Sequence, residues 1–355
     1  MAKKFIYGIQ QIGIGVKNAE IAFKWYAQTL GADALIFDDS NEATYMAKYM
    51  GGKSRSKRAL LALNMQGGGG YEIWQYKNRE PKAPENLFQI GDLGINFPVV
   101  KSRDIAKTFA VLKAKNVTIL SGIVTEPDSV KAFYIKDPFD NILKIKENNQ
   151  FYSNQNTSIA GVCAAVIGVS NIDESLQLYS TVLGYDQVIY DETAVFKDLK
   201  ALNNGGKKFR RILLGHSENR TGGFAKLFGA TQIELIQALD SKQNKIFENR
   251  FWGDLGYIHL CFDVKNINQL TKECNAIGLP FQVMSAASFD MGDANGHWGY
   301  IEDSDGTLIE FIETNKVPLI KKLGLNINLK NRDPEKPLPN WMIKAMNFKR
   351  VKKFK

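Results

Sequence analysis

Four charged residues interrupt short runs of apolar residues that are typical of buried strands. They are Glu72, Lys144, Glu234 and Glu310. An unpaired carboxylate is expensive to bury, because the protein interior does not replace its hydration. We therefore expect the carboxylates of Glu72 and Glu310 to face a partner of opposite charge, and a divalent cation would neutralise both.

An imidazole and an amide stand in two further β-rich runs. Side chains alternate between the two faces of a strand, so His259 points away from Leu260, and Gln11 points away from Gln10. We expect both polar groups to face the concave side of a sheet rather than its helix-packed side. Together with the two carboxylates, these groups would suit Zn, Ni, Mn, Co or Fe(II).

The elements that must position these side chains form a pattern that recurs four times in the 355 residues. Each copy opens with a β-rich run and continues into a helix with apolar residues at i, i+3 and i+4. The opening runs are Ile9–Val16, Leu93–Val99, Val162–Val169 and Gly256–Val264. The predicted helices are Ala19–Tyr26, Ile105–Leu112, Ile172–Leu183 and Ile267–Ile277.

Each copy closes with short strands, the last of which carries one of the four charged residues. Turn-forming residues introduce this strand at Asp137–Asn141 and Asp303–Thr307. The polar stretch Glu147–Ser158 is typical of a linker. We therefore divide the chain into residues 1–150, with modules at about 5–80 and 92–147, residues 159–315, with modules at about 159–240 and 254–315, and a tail at 316–355.

Four consecutive glycines, Gly67–Gly70, stand within the first copy. A phosphate-binding loop would need a Lys-Ser or Lys-Thr pair and a helix after the glycines, and neither follows. We expect this run to be the mobile tip of a hairpin.

The βαβββ order, the closing turn and the acid in the last strand resemble the vicinal oxygen chelate superfamily of glyoxalases, bleomycin resistance proteins and extradiol dioxygenases. The likeness extends over residues 5–315 and is strongest at Trp298–Phe311. It implies an α+β fold in which the sheets of two modules curl into a half-barrel around one metal ion. The first and last strands of each module would supply the ligands, and four modules would make two such lobes.

The resemblance also implies where the ligands stand. In the family, the ligand of the first strand lies five positions before a closing Val, which points to Gln11, Gly94, Ala164 and His259. The last strands supply the four charged residues. A full set of donors is thus predicted from the first and fourth copies, as Gln11, Glu72, His259 and Glu310. His216 and His297 do not fall on these positions.

The sequence is compatible with two pairings of the modules. If the first copy pairs with the fourth and the second with the third, one lobe receives all four donors; we favour this arrangement for that reason. If neighbours pair, the C-terminal half would hold Glu234, His259 and Glu310. The favoured pairing also predicts that Lys144 and Glu234 form an ion pair in the lobe that has no metal.

The donor order Gln, Glu, His, Glu resembles the ligand set of glyoxalase I, which isomerises a thiohemiacetal of an α-keto aldehyde through an enediolate. The resemblance implies a lyase or isomerase whose metal polarises two vicinal oxygens of a small-molecule substrate. By position, Glu310 would be the principal acid/base and Glu72 the second candidate. The arginine-bearing motif by which typical glyoxalase I enzymes hold glutathione is missing, so the substrate stays open.

Two other functions fit the same resemblance. An Fe(II) extradiol dioxygenase would use two histidines and one carboxylate, but Gln11 or Ala164 stands where its second histidine should be. A bleomycin-resistance-like protein would bind a small molecule with neither metal nor chemistry. An epimerase acting beside a thioester carbonyl would also suit four ligands.

Composition excludes several other classes. The net charge of +9 comes from the tail, which holds twelve Lys or Arg and two acids, a net of +10 that leaves about −1 on residues 1–315. This balance argues against nucleic-acid binding. The start of the chain lacks the apolar run of a signal peptide, and Cys163, Cys261 and Cys274 fit no disulfide framework. We expect a cytoplasmic monomer or homodimer with reduced, buried thiols.

The basic tail has an amphipathic pattern of its own. Its apolar residues at helical spacing are Leu338, Trp341, Met342, Ala345 and Met346. We expect this stripe to pack against the body or over the mouth of a lobe. Attachment of the basic face to a membrane surface is the alternative, and we consider it the less favoured one.

Overall fold

The first module shows how the sequence builds each copy. In the computed structural model, which describes residues 3–155, 157–291, 294–320 and 325–352, the Asn18 side chain caps the first helix by accepting from the amides of Glu20 and Ile21. The helix ends at Gly31, whose φ of 71° favours glycine. The elements are β1 (Phe5–Gly15), α1 (Ala19–Leu30), β2 (Ala34–Glu42), a 3₁₀ helix (Thr44–Met50), β3 (Ser56–Leu63) and β4 (Gly70–Tyr76).

The second and third modules repeat this plan. Asp104 and Asn171 each accept from a backbone amide in the first turn of the helix that follows. The second module contains β5 (Gly94–Ser102), α2 (Ile105–Ala114), β6 (Thr118–Ile119), β7 (Val124–Thr125), β8 (Lys131–Lys136) and β9 (Ile142–Glu147). The third contains β10 (Ile159–Gly168), α3 (Ile172–Leu176) with a π turn (Gln177–Val182), β11 (Gln187–Val195), a 3₁₀ turn (Lys197–Leu199), β12 (Lys208–Gly215), α4 (Ala225–Phe228) and β13 (Gln232–Ala238).

The fourth module leads directly into the tail. Asn266 caps its helix through the amide of Gln269. Its elements are β14 (Gly256–Lys265), α5 (Ile267–Ala276), β15 (Val283–Met284), β16 (Phe289–Met291), β17 (Ala294–Glu302) and β18 (Leu308–Ile320). The tail adds β19 (Leu325–Asn328), α6 (Asn340–Ala345) and a 3₁₀ turn (Met346–Lys349).

The modules pair as first with fourth and second with third. In one curled sheet β1 runs antiparallel to β14, with β4 parallel to β1 and β18 parallel to β14. In the other, β5 runs antiparallel to β10, with β9 parallel to β5 and β13 parallel to β10. The favoured pairing is therefore confirmed. We call the sheet of modules one and four, with its helices, the outer lobe, and that of modules two and three the inner lobe.

The two predicted turns connect the lobes. Asp137 and Asp303 accept backbone amides within their own turns. Each also accepts a hydrogen bond from a tyrosine in the other lobe, from Tyr26 at 2.6 Å and from Tyr179 at 2.9 Å. Both tyrosines are buried, so these two equivalent bonds bind a helix of one lobe to a turn of the other.

The glycine run Gly67–Gly70 leads from β3 into β4, as expected for a hairpin, but it is buried between the lobes, which argues against the mobility that we expected. The amide of Gly69 donates to Val162 at 2.7 Å, and the amide of Gly161 donates to Gly67 at 2.6 Å. A Cβ on Gly68 would lie 2.6 Å from the carbonyl carbon of Gly161. The glycines are therefore required by close approach of two backbones.

The tail packs against the outer lobe, where β19 pairs with β18. Ile343 and Met346 are buried, but Trp341 is 63% exposed, so its predicted place in the apolar stripe is wrong. The helix begins only at Asn340, which turns Ile343 rather than Trp341 toward the body. The three cysteines are free and buried, as expected. None of the described helices has the length and apolar character needed to cross a bilayer.

Candidate metal centre

The predicted donors of the first and fourth modules converge at the middle of the outer sheet. They are Gln11 on β1, Glu72 on β4, His259 on β14 and Glu310 on β18. In the sheet register, Gly13 is opposite His259 and adjacent to Glu72, while Cys261 is opposite Gln11 and adjacent to Glu310. The two modules thus contribute one first-strand and one last-strand side chain each.

The side-chain tips lie close together. Nε2 of His259 is 3.0 Å from Oε2 of Glu72 and 3.2 Å from Oε2 of Glu310. Ligand atoms of these three residues all lie within 4.8 Å of one another. Nε2 of Gln11 lies 3.4 Å from Oε2 of Glu72, which places the amide beside the same cluster.

The imidazole is held in a fully buried slot. A Cβ on Gly13 would lie 2.3 Å from Cε1 of His259, so only glycine leaves room for the ring. The ring of Trp252 stacks on the imidazole with a centroid distance of 6.0 Å, and Tyr300 meets it edge-on at 5.5 Å. Gly13, Trp252 and Tyr300 therefore enclose the imidazole on three sides.

The cluster carries an excess of negative charge. Within the described residues, the ion pairs of Glu72 and Glu310 are with His259, and no Lys or Arg approaches either carboxylate. Burial alone would lower the pKa of His259, but the carboxylates of Glu310 and Glu72 outweigh it and raise that pKa to about 9. Burial opposes ionisation of Glu310, yet His259 and a hydrogen bond from Tyr300 hold its pKa below the usual value. The position therefore favours a cation.

Several polar atoms at this point have no hydrogen-bond partner within the described part of the chain. They are Oε1 of Gln11, both ring nitrogens of His259 and Oε2 of Glu310; the ion-pair contact of 3.2 Å between Nε2 of His259 and Oε2 of Glu310 does not have the geometry of a hydrogen bond. Buried polar atoms are almost always paired. An amide oxygen, an imidazole nitrogen and two carboxylates form a donor set that fits a divalent transition-metal ion, and such an ion would satisfy these atoms together.

Gln10 departs from the alternation predicted for its strand. The pairing of β1 with β14 shifts between Ile9 and Gln11, as in a β-bulge, which inserts one extra residue into a strand. As a result, Gln10 and Gln11 both line the cavity beside the cluster. The expectation that Gln10 points the other way is wrong.

A cavity of about 130 Å³ opens beside the cluster, whereas one water needs about 10–15 Å³. Two groups of buried apolar residues border it. The site-side group includes Met46, Trp74, Trp252, Trp298 and Tyr300. The tail-side group includes Leu63, Phe224, Phe228, Val317 and Met346. The cavity is thus a mainly aromatic and aliphatic chamber with the donor cluster at one point and a second polar group, which includes Asp39 and Lys57, in its wall, a form typical of small-molecule sites.

The inner lobe has no such cluster at the equivalent positions. There, Val166 is opposite Phe97 and adjacent to Glu234, while Val99 is adjacent to Lys144. Phe97, rather than the predicted Gly94, is therefore the counterpart of His259. Counting back from Val99 fails because the strand continues to Ser102, which takes the place of the closing Val.

The predicted ion pair of the inner lobe is confirmed. Nζ of Lys144 lies 2.7 Å from Oε2 of Glu234 and also contacts Glu126. Arg211 binds the other oxygen of Glu234 through Nε at 2.7 Å and pairs with Asp198 at 2.8 Å. All of these side chains are buried. The inner lobe therefore contains a buried network of paired charges.

Sequence reasoning missed several residues of the site. Tyr300 is directly opposite Glu310 in the pairing of β17 with β18. Its place beside the acid could therefore have been predicted from the strand that precedes Glu310. Met346 belongs to the tail stripe that was expected to pack against the body or over the mouth of a lobe, and it lines the cavity. Phe224 and Phe228 come from α4, and no periodicity places them there. Their signal was only that they are apolar.

Comparison with known proteins agrees with this architecture. Two family models match the chain, at residues 8–145 and 165–297, and both are described as Glyoxalase/Bleomycin resistance protein/Dioxygenase superfamily. The two matches follow each other in tandem. No curated protein matches the chain in sequence.

Solved structures with the same fold include two long matches. A proposed dioxygenase from Bacillus subtilis is 15% identical, with 88% of this chain and 86% of that chain covered and a TM-score of 0.55. Glyoxalase I from Zea mays is 11% identical, with 88% and 92% covered and a TM-score of 0.53. At such low identity, the likeness shows the fold alone.

Proposed function

The chain belongs to the glyoxalase, bleomycin resistance protein and dioxygenase superfamily, and on that premise we propose that it is a metal-dependent enzyme acting on a small molecule with vicinal oxygens. Glu72, His259 and Glu310 would hold the ion, with Gln11 as the fourth ligand. The observation that carries the proposal is the approach of three ligand atoms to within 4.8 Å at a buried, negatively charged point of the cavity.

The reaction we propose is a glyoxalase I-like isomerisation through an enediolate. A bound Zn, Ni, Mn, Co or Fe(II) ion would act as a Lewis acid on the substrate oxygens. Glu310 is suited to take and return a proton, because it lines the cavity and, among the described residues, the ion pair that its Oε2 makes is with the imidazole of His259 at 3.2 Å. Tyr300, which is opposite Glu310 in the pairing of β17 with β18, would orient it, and Glu72, whose Oε2 approaches the same nitrogen of the imidazole, is the second candidate acid/base.

The lining of the cavity supports an apolar substituent on the substrate. Lys57 is the basic residue among the described lining, and it lies 3.6 Å from Asp39. Most of the remaining wall is aromatic or aliphatic. This composition favours an uncharged substrate over an anionic one such as a glutathione adduct. A cytoplasmic location and a monomeric or homodimeric state stay predictions.

An Fe(II) ring-cleaving dioxygenase is the second candidate function. The tryptophans and Tyr300 around the cavity would stack on a planar ring, which is the observation in its favour. The ligand set counts against it, since one imidazole replaces the two that such enzymes use. A metal-free binding protein is the third reading, and the unpartnered donors count against that one.

Metal analysis with matched assays tests these alternatives. The purified full chain is equilibrated with Zn, Ni, Mn, Co or anaerobic Fe(II), and bound metal is measured. Activity is followed with the hemithioacetal that phenylglyoxal forms with an uncharged thiol, 2-mercaptoethanol, and, separately, as oxygen uptake with catechol. We expect one equivalent of metal and isomerase activity that Glu310→Gln abolishes. Iron-dependent oxygen uptake would favour the dioxygenase, and absence of stoichiometric metal would leave the binding protein.

A further inference from the structure

The wall of the cavity is completed by a part of the chain that lies outside the four modules. Met346 follows α6, is 2% exposed and lines the cavity together with Val317. Both belong to the tail-side group, whereas Trp252, Tyr300 and the other neighbours of the imidazole belong to the site-side group. The cavity therefore lies between the metal centre and the tail.

The tail is fixed in this position by specific bonds. The guanidinium of Arg350 donates to both carboxylate oxygens of Asp33, at 2.9 Å and 2.7 Å. The amide of Val351 donates to the carbonyl of Asp33 at 2.9 Å, and the amide of Leu338 donates to Gly223 at 2.9 Å. These contacts flank Met346 on both sides in sequence, so its side chain has a defined place in the wall.

The inner lobe supports the same wall. Phe224 and Phe228, at the ends of α4, pack with Met346 in the tail-side group and line the cavity. Met346 therefore stands in the wall between the buried tail-side group and the cavity. A change in its volume changes the cavity itself, because the backing residues are already buried.

We propose that Met346 is a specificity-determining residue, which limits the size of the apolar substituent that the cavity accepts beside the metal centre. This inference rests on the proposed function, since it takes the cavity to be the substrate site. Methionine is a flexible side chain that adapts to irregular spaces. Its volume, and not its chemistry, would then set the limit.

Binding of two vicinal diols of different size tests the proposal. The affinities of catechol and tert-butylcatechol for the full chain are measured by quenching of the cavity tryptophans, with and without Zn(II). We expect Met346→Ala to raise the affinity for tert-butylcatechol relative to catechol by about tenfold, and Met346→Phe to lower it by a similar factor, because one methylene in an apolar pocket is worth about 10–200-fold.

Met342→Ala is the matched control. Met342 lies on α6 and packs against the tail-side group, but it is outside the cavity lining that the structure describes. Its ratio of affinities should equal that of the unaltered chain. A ratio that does not move in either Met346 variant, or moves equally in Met342→Ala, would overturn the proposal, as would an unaltered chain that binds neither diol.

The result also separates this inference from the proposed function. If the ratio changes with and without Zn(II) while no metal-dependent reaction is found, Met346 controls access to a binding site and the enzyme proposal fails alone. If metal binds and turnover is measured but the ratio is constant, the role of Met346 fails alone.

Discussion

The outer and inner lobes share one backbone plan but compensate the buried acids at their centres in different ways. In the outer lobe, Glu72 and Glu310 approach one imidazole. In the inner lobe, Glu234 approaches Lys144 and Arg211. Glu72 and Glu234 are adjacent to equivalent residues of β1 and β10, so the same acid position has two different kinds of partner.

The difference shows what a buried carboxylate requires in this fold. The inner lobe supplies its own cations from β9 and β12, and each carboxylate of the resulting buried network lies within ion-pair distance of at least one of them. Among the described residues, the outer lobe supplies only the imidazole and leaves donor atoms without partners. Basic side chains thus compensate the buried acid in the inner lobe, whereas their absence from the described residues around Glu72 and Glu310 leaves the donor set on which the proposed metal site depends.

The largest effect is expected from a substitution that breaks the ion-pair network of the inner lobe. Arg211→Met leaves Glu234 and Asp198 buried with less compensation, which should cost about 3–5 kcal/mol in the free energy of unfolding. Arg210→Met is the matched control, because Arg210 lies on the opposite, partly exposed face and pairs with Asp173 and Asp191, so it should cost within about 1 kcal/mol. Denaturant unfolding measures both, and equal losses would contradict the comparison.

Removal of the imidazole is the next largest change. Loss of a hydrogen bond that supports a metal ligand lowers metal affinity by about 10–100-fold. His259→Ala removes a proposed ligand itself, so it should lower the metal affinity of the outer lobe by more than that. His216→Ala is the control, since His216 packs on Tyr185 away from the cluster. Calorimetric titration with Zn(II) measures the affinities. Equal binding by His259→Ala and the unaltered chain would place the metal elsewhere.

A smaller effect is expected from the residue that leaves room for the imidazole. Gly13→Ala places a Cβ 2.3 Å from Cε1 of His259, so the ring must shift, and metal affinity should fall by about tenfold. Gly206→Ala is a suitable control, because a Cβ there meets nothing within 4 Å. If both variants bind Zn(II) as the unaltered chain does, the fit around His259 is looser than the structure indicates.

The smallest expected effect concerns how the stability of the inner lobe depends on pH. Burial would raise the pKa of Glu234, but Arg211 and Lys144 outweigh it and hold that pKa below its ordinary value of 4.5. The stability from Glu234 is therefore complete above about pH 4.5 and is lost as the pH falls below it. Unfolding free energies from pH 7 to pH 3 should decline less steeply in Glu234→Gln, and parallel curves would contradict this.

Much of the architecture follows from local sequence patterns. Repeated strand and helix runs predicted the modules, and the concentration of donors in the first and fourth copies predicted their pairing. Lys144 and Glu234 were predicted to meet because the family resemblance assigns both to ligand positions in the last strands of modules that were expected to pair. Arg211 and Asp198 were not, because they come from a middle strand and a 3₁₀ turn whose register the sequence does not reveal.

The failures have equally specific causes. A β-bulge turned Gln10 toward the cavity, and a strand that continues past Val99 moved the counterpart of His259 to Phe97. Close contact with Gly161 buried the glycine run. Each error arose where a residue's position depends on a neighbouring strand or backbone rather than on its own local pattern.

The order of the modules also governs how the protein is made. The inner lobe lies in sequence between β4 and β14, so a ribosome releases the whole of it before the fourth module emerges. During that interval β1 has an apolar edge without its partner strand, and such edges invite aggregation. The candidate metal centre can therefore form only after the fourth module has been translated, and the unpaired edge of β1 persists until then.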